Sequence, residues 1–152
     1  MRSWTSYAPS SRRPDPVATG LYVDTSAVLR AAVEMGTTPD VEERIRGARV
    51  LITSRLSQVE ASRALLRLRL GGTIPEARLA DAERQIEALW GRCELWELTP
   101  TVCELARRVA PAKRLRTLDA LHLATFLVAR RRIEGLELLT VDDRLQDAAG
   151  TV

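Results

Sequence analysis

Four carboxylates are the residues of this sequence whose types and positions best suit shared chemistry. Two directly follow apolar runs typical of strands, and two lie near the starts of helical patterns. They are Asp24, Glu60, Asp119 and Asp142. If these strand ends and helix starts share one sheet edge, the carboxylates converge, repel one another and raise each other's pKa. Such a cluster persists when a cation binds it, and hard oxygen ligands suit Mg²⁺ or Mn²⁺. The pattern therefore predicts a divalent-cation site.

Each of these acids also has a purely structural interpretation. Asp24 can form a turn or cap a helix, and Glu60 can close a capping box. Asp119 lies in the first turn of a predicted helix, where negative charge is favourable. Asp142 or its neighbour Asp143 can cap the last helix. The chemical interpretation depends on all four acids meeting at one edge.

The elements that would position the acids alternate along the chain from residue 20. Apolar runs predict strands at 21–24, 49–53, 93–98 and 136–141. Caps at Thr38, Ser54, Thr99 and Thr117 predict helices running to about residues 46, 70, 110 and 131, with further helices at 26–34, 75–90 and 143–149. Strands separated by helices predict a three-layer α/β/α sandwich with a parallel sheet of four or five strands. Ligands of such sheets bind outside the carboxyl ends of the strands.

Composition limits the class of protein. The 152 residues are 45% apolar, which suits one folded domain and excludes wholesale disorder. Residues 1–19 are rich in Ser, Pro and Arg without periodicity, which predicts a flexible tail before a folded domain at 20–152. We find neither a secretory signal nor an apolar run long enough to cross a membrane. We therefore expect a cytoplasmic protein that does not bind membranes.

Sulfur and imidazole ligands are too few for a usual zinc site. The chain has two cysteines, Cys93 and Cys103, and one histidine, His122. We expect both cysteines to be reduced and buried as small apolar side chains. His122 lies one helical turn after Asp119, and we favour helix packing over contact with the site. Trp90 and Trp96 are expected in core or subunit packing.

The basic residues suggest where phosphate could bind. The net charge is +3, from 23 basic and 20 acidic residues, which permits contact with nucleic acid without demanding it. We favour the basic group nearest the Asp119 helix, which consists of Lys113, Arg114 and Arg116. Other candidates are Arg63, Arg67, Arg69 and Arg130 to Arg132. The alternative for each group is a solvated charged face.

Four stretches around the acids carry a family resemblance. They are YVDTSAV (22–28), SRLSQVEASRAL (54–65), RTLDALHLAT (116–125) and LLTVDDRL (138–145). In this order they resemble the PIN domain and, more closely, the VapC-type ribonuclease toxins of bacterial VapBC toxin–antitoxin pairs. The resemblance covers about residues 20–150 and implies a PIN-like sandwich. It leaves residues 1–19 without a counterpart.

The resemblance implies roles for particular residues. It implies a catalytic quartet of Asp24, Glu60, Asp119 and Asp142, of which Asp24, Asp119 and Asp142 would hold Mg²⁺ or Mn²⁺. The Thr-x-Asp pattern at 140–142 selects Asp142 over Asp143 as the fourth acid. Supporting residues would be Thr25, Ser26, Thr140 and Asp143. The activity implied is a metal-dependent endoribonuclease that hydrolyses RNA phosphodiesters with metal-activated water.

The resemblance also implies partners and leaves alternatives open. It implies an RNA substrate such as transfer RNA or another structured RNA, a cognate VapB-type antitoxin, and a homodimer. Alternatives are a PIN-like nuclease of RNA maturation and a non-catalytic PIN-like binding module. A phosphoacceptor signalling domain fits poorly, because it would need a second acid beside Asp24 and a lysine after the last strand. The chain's one lysine, Lys113, precedes a helix instead.

Overall fold

A computed structural model describes residues 20–152 of the chain. The predicted flexible tail, residues 1–19, lies outside the described residues. The strands of the described part are β1 (Gly20–Val23), β2 (Leu51–Ser54), β3 (Cys93–Trp96) and β4 (Leu136–Leu139). Its helices are α1 (Thr25–Val33), α2 (Pro39–Gly47), α3 (Arg55–Gly71), α4 (Glu76–Trp90), α5 (Pro100–Ala106), α6 (Thr117–Arg130) and α7 (Asp143–Ala149). No helix in this range is both long and apolar enough to cross a membrane.

The four strands form one parallel sheet in the order β3-β2-β1-β4. Tyr22, in the central strand β1, pairs with Ile52 on one side and with Leu138 on the other. All residues of β1 and β2 are buried, as expected for strands covered on both faces. The predicted parallel sheet is therefore confirmed, with the four-strand alternative realised in residues 20–152.

Helices cover both faces of the sheet because successive side chains of a strand point in opposite directions. Leu21 and Val23 belong to a core cluster that includes side chains of α1, α3 and α4. Tyr22 and Ile52 belong to a second cluster, formed with α6 and α7. The three-layer α/β/α arrangement is confirmed, and the alternation within β1 decides which helices lie on which side.

Helices α1, α3 and α7 begin within four residues of strand ends, and polar side chains cap them. The Asp24 carboxylate caps α1, the Ser54 hydroxyl accepts from the Leu56 amide in α3, and Asp142 caps α7. Because the strands are parallel, these caps lie at the carboxyl edge of the sheet. Thr117 does not cap α6, since Arg116 occupies the N-cap position and makes no side-chain cap hydrogen bond.

The structure corrects two further expectations. Helix α5 ends at Ala106 instead of 110, and the chain turns through Ala110, whose φ of 45° lies in the left-handed region just before a proline. The cysteines are not both buried. Cys93 is half-buried because β3 is an edge strand, and Cys103 is exposed because α5 buries the neighbouring Val102 instead.

Candidate functional site

Asp24 is the most buried acid of the predicted quartet, with 4% of its surface exposed. Its carboxylate accepts hydrogen bonds from the Ala27 amide at 3.0 Å, from the Ser26 hydroxyl at 2.8 and 2.9 Å, and from the Thr140 hydroxyl at 2.9 Å. The first two donors belong to α1, and the third follows β4. Asp24 therefore joins the carboxyl ends of β1 and the edge strand β4 through polar contacts.

Thr140 and Ser26 extend this network toward the fourth acid. The Thr140 hydroxyl accepts from the Asp142 amide at 3.0 Å and lies 3.1 Å from the Ser26 hydroxyl, which accepts from the Val141 amide. The Asp142 carboxylate accepts from two amides in the first turn of α7. The predicted supporting residues Ser26 and Thr140 thus link Asp24 to the Asp142 backbone.

Glu60 lies in a second network on the other side of the α1 N-terminus. Its Oε2 atom is 2.6 Å from His122 Nε2 and accepts from the Thr25 hydroxyl at 2.5 Å. The Thr25 hydroxyl also lies 3.2 Å from His122 Nε2. Because Thr25 follows Asp24 directly, the two networks adjoin. Glu60 does not act as a capping residue, since Ser54 caps α3.

Two further predicted acids, Asp119 and Asp143, make no hydrogen bond to the networks around Asp24 and Glu60. Asp119 lies in the first turn of α6, one turn before His122, and its Oδ2 atom is buried without a hydrogen-bond partner. Arg116 forms a long ion pair with this carboxylate, its Nε atom 4.0 Å from that oxygen. Asp143 is exposed in the first turn of α7. The geometry around the α7 cap therefore favours Asp142 over Asp143 as part of the network.

Burial and hydrogen bonding shift the pKa values of two acids in opposite directions. Burial raises the pKa of Asp24, and hydrogen bonds from Ala27 and Ser26 offset this only in part. Burial also opposes ionisation of Glu60, but hydrogen bonds from His122 and Thr25 outweigh it and lower the pKa of that carboxyl. The surroundings therefore favour the ionised form of Glu60 and disfavour that of Asp24, which a nearby cation would stabilise.

The donor atoms are of the type that a hard divalent cation requires. Carboxylate and hydroxyl oxygens dominate the site, and Asp119 contributes a buried acceptor atom without a donor. Within residues 20–152, no three Asp, Glu, His or Cys side chains converge closely enough to enclose a metal ion. The residues thus fit a cation by the chemistry of their oxygen atoms and by the Asp119 oxygen that lacks a hydrogen-bond donor. Their side chains, however, are not gathered into one coordination sphere.

The three basic residues predicted to bind phosphate differ in whether an acidic side chain already contacts them. Lys113 forms an ion pair with Asp147 at 2.8 Å, so its charge is already partnered. Arg116 approaches Asp119, and Arg114 is exposed. Among the other candidates, several arginines contact protein groups: Arg69 pairs with Glu76 and Glu83, Arg130 lies over Phe126, and Arg132 lies over Trp96.

For His122 the sequence analysis favoured helix packing, and the structure shows packing together with contact to the site. It is 3% exposed, but it does more than pack its helix, because its two ring nitrogens contact Tyr22 and Glu60. The available signal was its spacing, since residues three apart on a helix share a face and Asp119 was already a candidate. The predicted core position of Trp90 is confirmed, and Trp96 is half-buried.

Comparison with known proteins relates the chain to one protein family. The PIN domain family profile matches residues 21–151. Ribonuclease VapC46 of Mycobacterium tuberculosis is 30% identical over 132 residues, which cover 87% of this chain and 92% of that protein. Ribonuclease VapC45 from another strain of that species is 33% identical over 129 residues, covering 85% and 88%.

Two solved structures share the fold. PAE2754 from Pyrobaculum aerophilum has a TM-score of 0.59 at 23% identity, covering 86% of this chain and 80% of that one. VapBC2 from Rickettsia felis, bound to a DNA fragment from their promoter, has a TM-score of 0.52 at 11% identity, covering 81% and 99%. These two structures share the fold, and the profile match together with the VapC relatives confirms the resemblance seen in the sequence: the chain belongs to the PIN domain family, with VapC ribonucleases among its relatives.

Proposed function

We propose that the protein is a metal-dependent endoribonuclease and the toxin of a type II toxin–antitoxin pair. The observation that carries the metal-dependent part is the buried Asp119 Oδ2 atom, which has no donor at the carboxyl edge of the sheet. A buried acceptor of this kind calls for a cation or an ordered water. The relatives named ribonuclease support hydrolysis of RNA as the reaction.

In this proposal the chain's own residues hold and orient the reacting groups. Asp24, Asp119 and Asp142 would hold Mg²⁺ or Mn²⁺, and Glu60 would complete the catalytic quartet. Such a cation, when bound, makes water a better nucleophile at neutral pH and offsets the negative charge of the phosphodiester. Ser26 and Thr140 hold the Asp24 carboxylate by donating to it, which keeps its rotamer fixed before substrate arrives.

Substrate contact in the proposal depends on the exposed arginines near Asp119. Arg114 is exposed, and Arg116 is 63% exposed while lying beside the Asp119 carboxylate. Both can reach phosphates, whereas Lys113 would first have to leave Asp147. Substituting Arg114 with alanine should weaken RNA binding. It should also reduce the slope of the logarithm of the binding constant against the logarithm of salt concentration by about one, the value for one lost phosphate contact.

Cleavage by single-site variants tests the catalytic part. The purified protein should cleave RNA with Mg²⁺ or Mn²⁺ and stop when a chelator is added. Asp24→Asn and Asp119→Asn should each lower the rate about a hundredfold or more while the fold persists. Asp40→Asn, an exposed acid in the first turn of α2, is the charge-matched control. Cleavage that survives both site substitutions would reject these roles.

The same assay separates the fourth acid from its neighbour. Asp142→Asn should remove activity, and Asp143→Asn should reduce it less, because Asp142 connects to Thr140 and Asp143 is exposed. The reverse order of effects would assign the fourth role to Asp143. RNA that binds without being cleaved under any metal would favour the non-catalytic PIN-like module.

An antitoxin partner is the regulatory part of the proposal. The solved VapBC2 complex among the structural neighbours supports it. A groove of about 510 Å³ beside α3 offers an apolar surface, lined by Leu29, Val33, Leu68 and Ile74, with Arg67 and Arg78 at its sides. Ile74→Asp should weaken antitoxin binding and leave RNA cleavage intact. Equal antitoxin affinity in this variant would place the partner elsewhere.

A homodimer is the remaining part of the proposal. Val59, Leu66 and Leu70 are exposed apolar side chains of α3, and their spacing of seven and four residues places them on one helix face. An exposed apolar stripe of this kind supports self-association. Light scattering should give twice the monomer mass, and Leu66→Glu should give the monomer. A monomeric wild type at micromolar concentration would reject this part.

A further inference from the structure

The buried contacts of Tyr22, His122 and Glu60 connect the centre of the sheet to the site. Tyr22 lies in β1 and is completely buried, and its hydroxyl is 2.9 Å from His122 Nδ1. The other ring nitrogen of His122 is 2.6 Å from Glu60 Oε2. The three side chains come from β1, α6 and α3. They form a continuous chain of polar contacts between elements that are far apart in sequence.

An ionised Glu60 sets the direction of these hydrogen bonds. An ionised carboxylate has no proton to donate, so Nε2 of His122 carries the proton that points at Glu60. In the neutral imidazole, Nδ1 then accepts from the Tyr22 hydroxyl. The Thr25 hydroxyl donates to the same Glu60 oxygen, so two donors converge on Oε2. The second carboxylate oxygen of Glu60 is left for other contacts.

Burial rules out direct action of His122 on the substrate. Only 3% of its surface is exposed, and both ring nitrogens already contact protein groups. The ring is held further by the edge-on contact with Tyr22, whose own ring packs against Phe126. Such a side chain cannot exchange protons with a bound RNA. It can, however, control where the Glu60 carboxylate lies.

We propose that Tyr22 and His122 form a positioning relay in which Nε2–H of His122 fixes the rotamer of the catalytic acid Glu60. The relay rests on the proposed function for its effect on activity, but its hydrogen bonds are independent of that function. Glu60 is partly exposed on a long, flexible side chain, so without these donors it would lose its orientation toward the acidic edge. His122 is therefore a positioning residue.

Two substitutions separate positioning from packing. The amide of glutamine reaches the place of Nε2, and the shorter asparagine reaches that of Nδ1. His122→Gln should retain much of the wild-type activity, because its amide can still donate to Glu60. His122→Asn should lower kcat about tenfold to a hundredfold and leave KM unchanged. Leu127→Ala, a buried residue of α6 outside the site, is the control for destabilisation. Equal kcat values in the two His122 variants would overturn the relay.

A spectroscopic measurement tests the relay without any RNA. The chain has one histidine, so the imidazole signals of tag-free protein belong to His122 alone. We expect an Nε2-bound proton that exchanges slowly with water and whose resonance shifts in both Tyr22→Phe and Glu60→Gln. An Nε2 without a proton, or a resonance indifferent to both substitutions, would overturn the proposal. If the wild-type protein fails to cleave RNA, the proposed function is rejected. The imidazole measurement would still test whether Tyr22, His122 and Glu60 form the proposed hydrogen bonds.

Discussion

Replacing Thr140 with valine removes one hydroxyl and keeps the shape of the side chain. That hydroxyl donates to the buried Asp24 carboxylate at 2.9 Å and accepts from the Asp142 amide at 3.0 Å. A hydrogen bond to a charged group contributes about 1.5–3 kcal/mol. Because Thr140 is only half-buried, we expect a loss of about 2 kcal/mol in the free energy of unfolding. For a domain of this size, that corresponds to a fall in Tm of roughly 4–8 °C.

Denaturant unfolding measures this loss, and RNA cleavage measures its consequence. Thr140→Ser keeps the hydroxyl and should stay near the wild type. Thr37→Val, which removes an exposed hydroxyl bonded to the Glu34 carbonyl, is the matched control and should cost less than about 1 kcal/mol. Cleavage by Thr140→Val should fall about tenfold because Asp24 loses a fixed donor. A free energy of unfolding within about 0.5 kcal/mol of the wild type would refute the reasoning.

Three further measurements follow from burial and charge. Cys103 should react quickly with a thiol reagent at pH 8, and Cys93 slowly, because burial raises the pKa of Cys93 to about 11; equal rates would contradict this. Leu123→Ala should cost about 3–5 kcal/mol of unfolding free energy, and the exposed Leu70→Ala almost nothing. With a chelator present, Glu60→Gln should have a lower Tm than the wild type at pH 7. Folding lowers the pKa of Glu60, so the ionised carboxylate stabilises the folded state above that pKa. The difference in Tm should therefore vanish as the pH falls through the pKa of folded Glu60.

Most of the fold could be predicted because its signals are local. Apolar runs and caps identified the strands and helices, and their alternation implied a parallel sheet with helices on both faces. Two incorrect predictions concerned helix ends. The Thr117 cap and the length of α5 depend on backbone conformations, such as the left-handed turn at Ala110, that side-chain patterns do not specify.

The candidate site was predicted in part. Positions after strands located Asp24, which directly follows β1, and Asp142, which lies three residues beyond the end of β4 because that strand ends at Leu139, earlier than predicted. The hydrogen bonds of Ser26 and Thr140 agree with the supporting roles suggested for them. The contacts of His122 with Tyr22 and Glu60 were the less favoured interpretation, because a histidine within an apolar helix is compatible with core packing as well as with contact to a carboxylate.

The sequence by itself determined the element order, the parallel topology and the residue types available at the sheet edge, because each follows from periodicity, caps and strand ends. Only the tertiary structure decided that His122 meets both Tyr22 and Glu60, and that Asp119 keeps a buried oxygen without a hydrogen-bond donor. Tyr22 and His122 are 100 residues apart. Contacts over such a separation depend on how helices rotate and pack against the sheet, and no local pattern specifies that rotation.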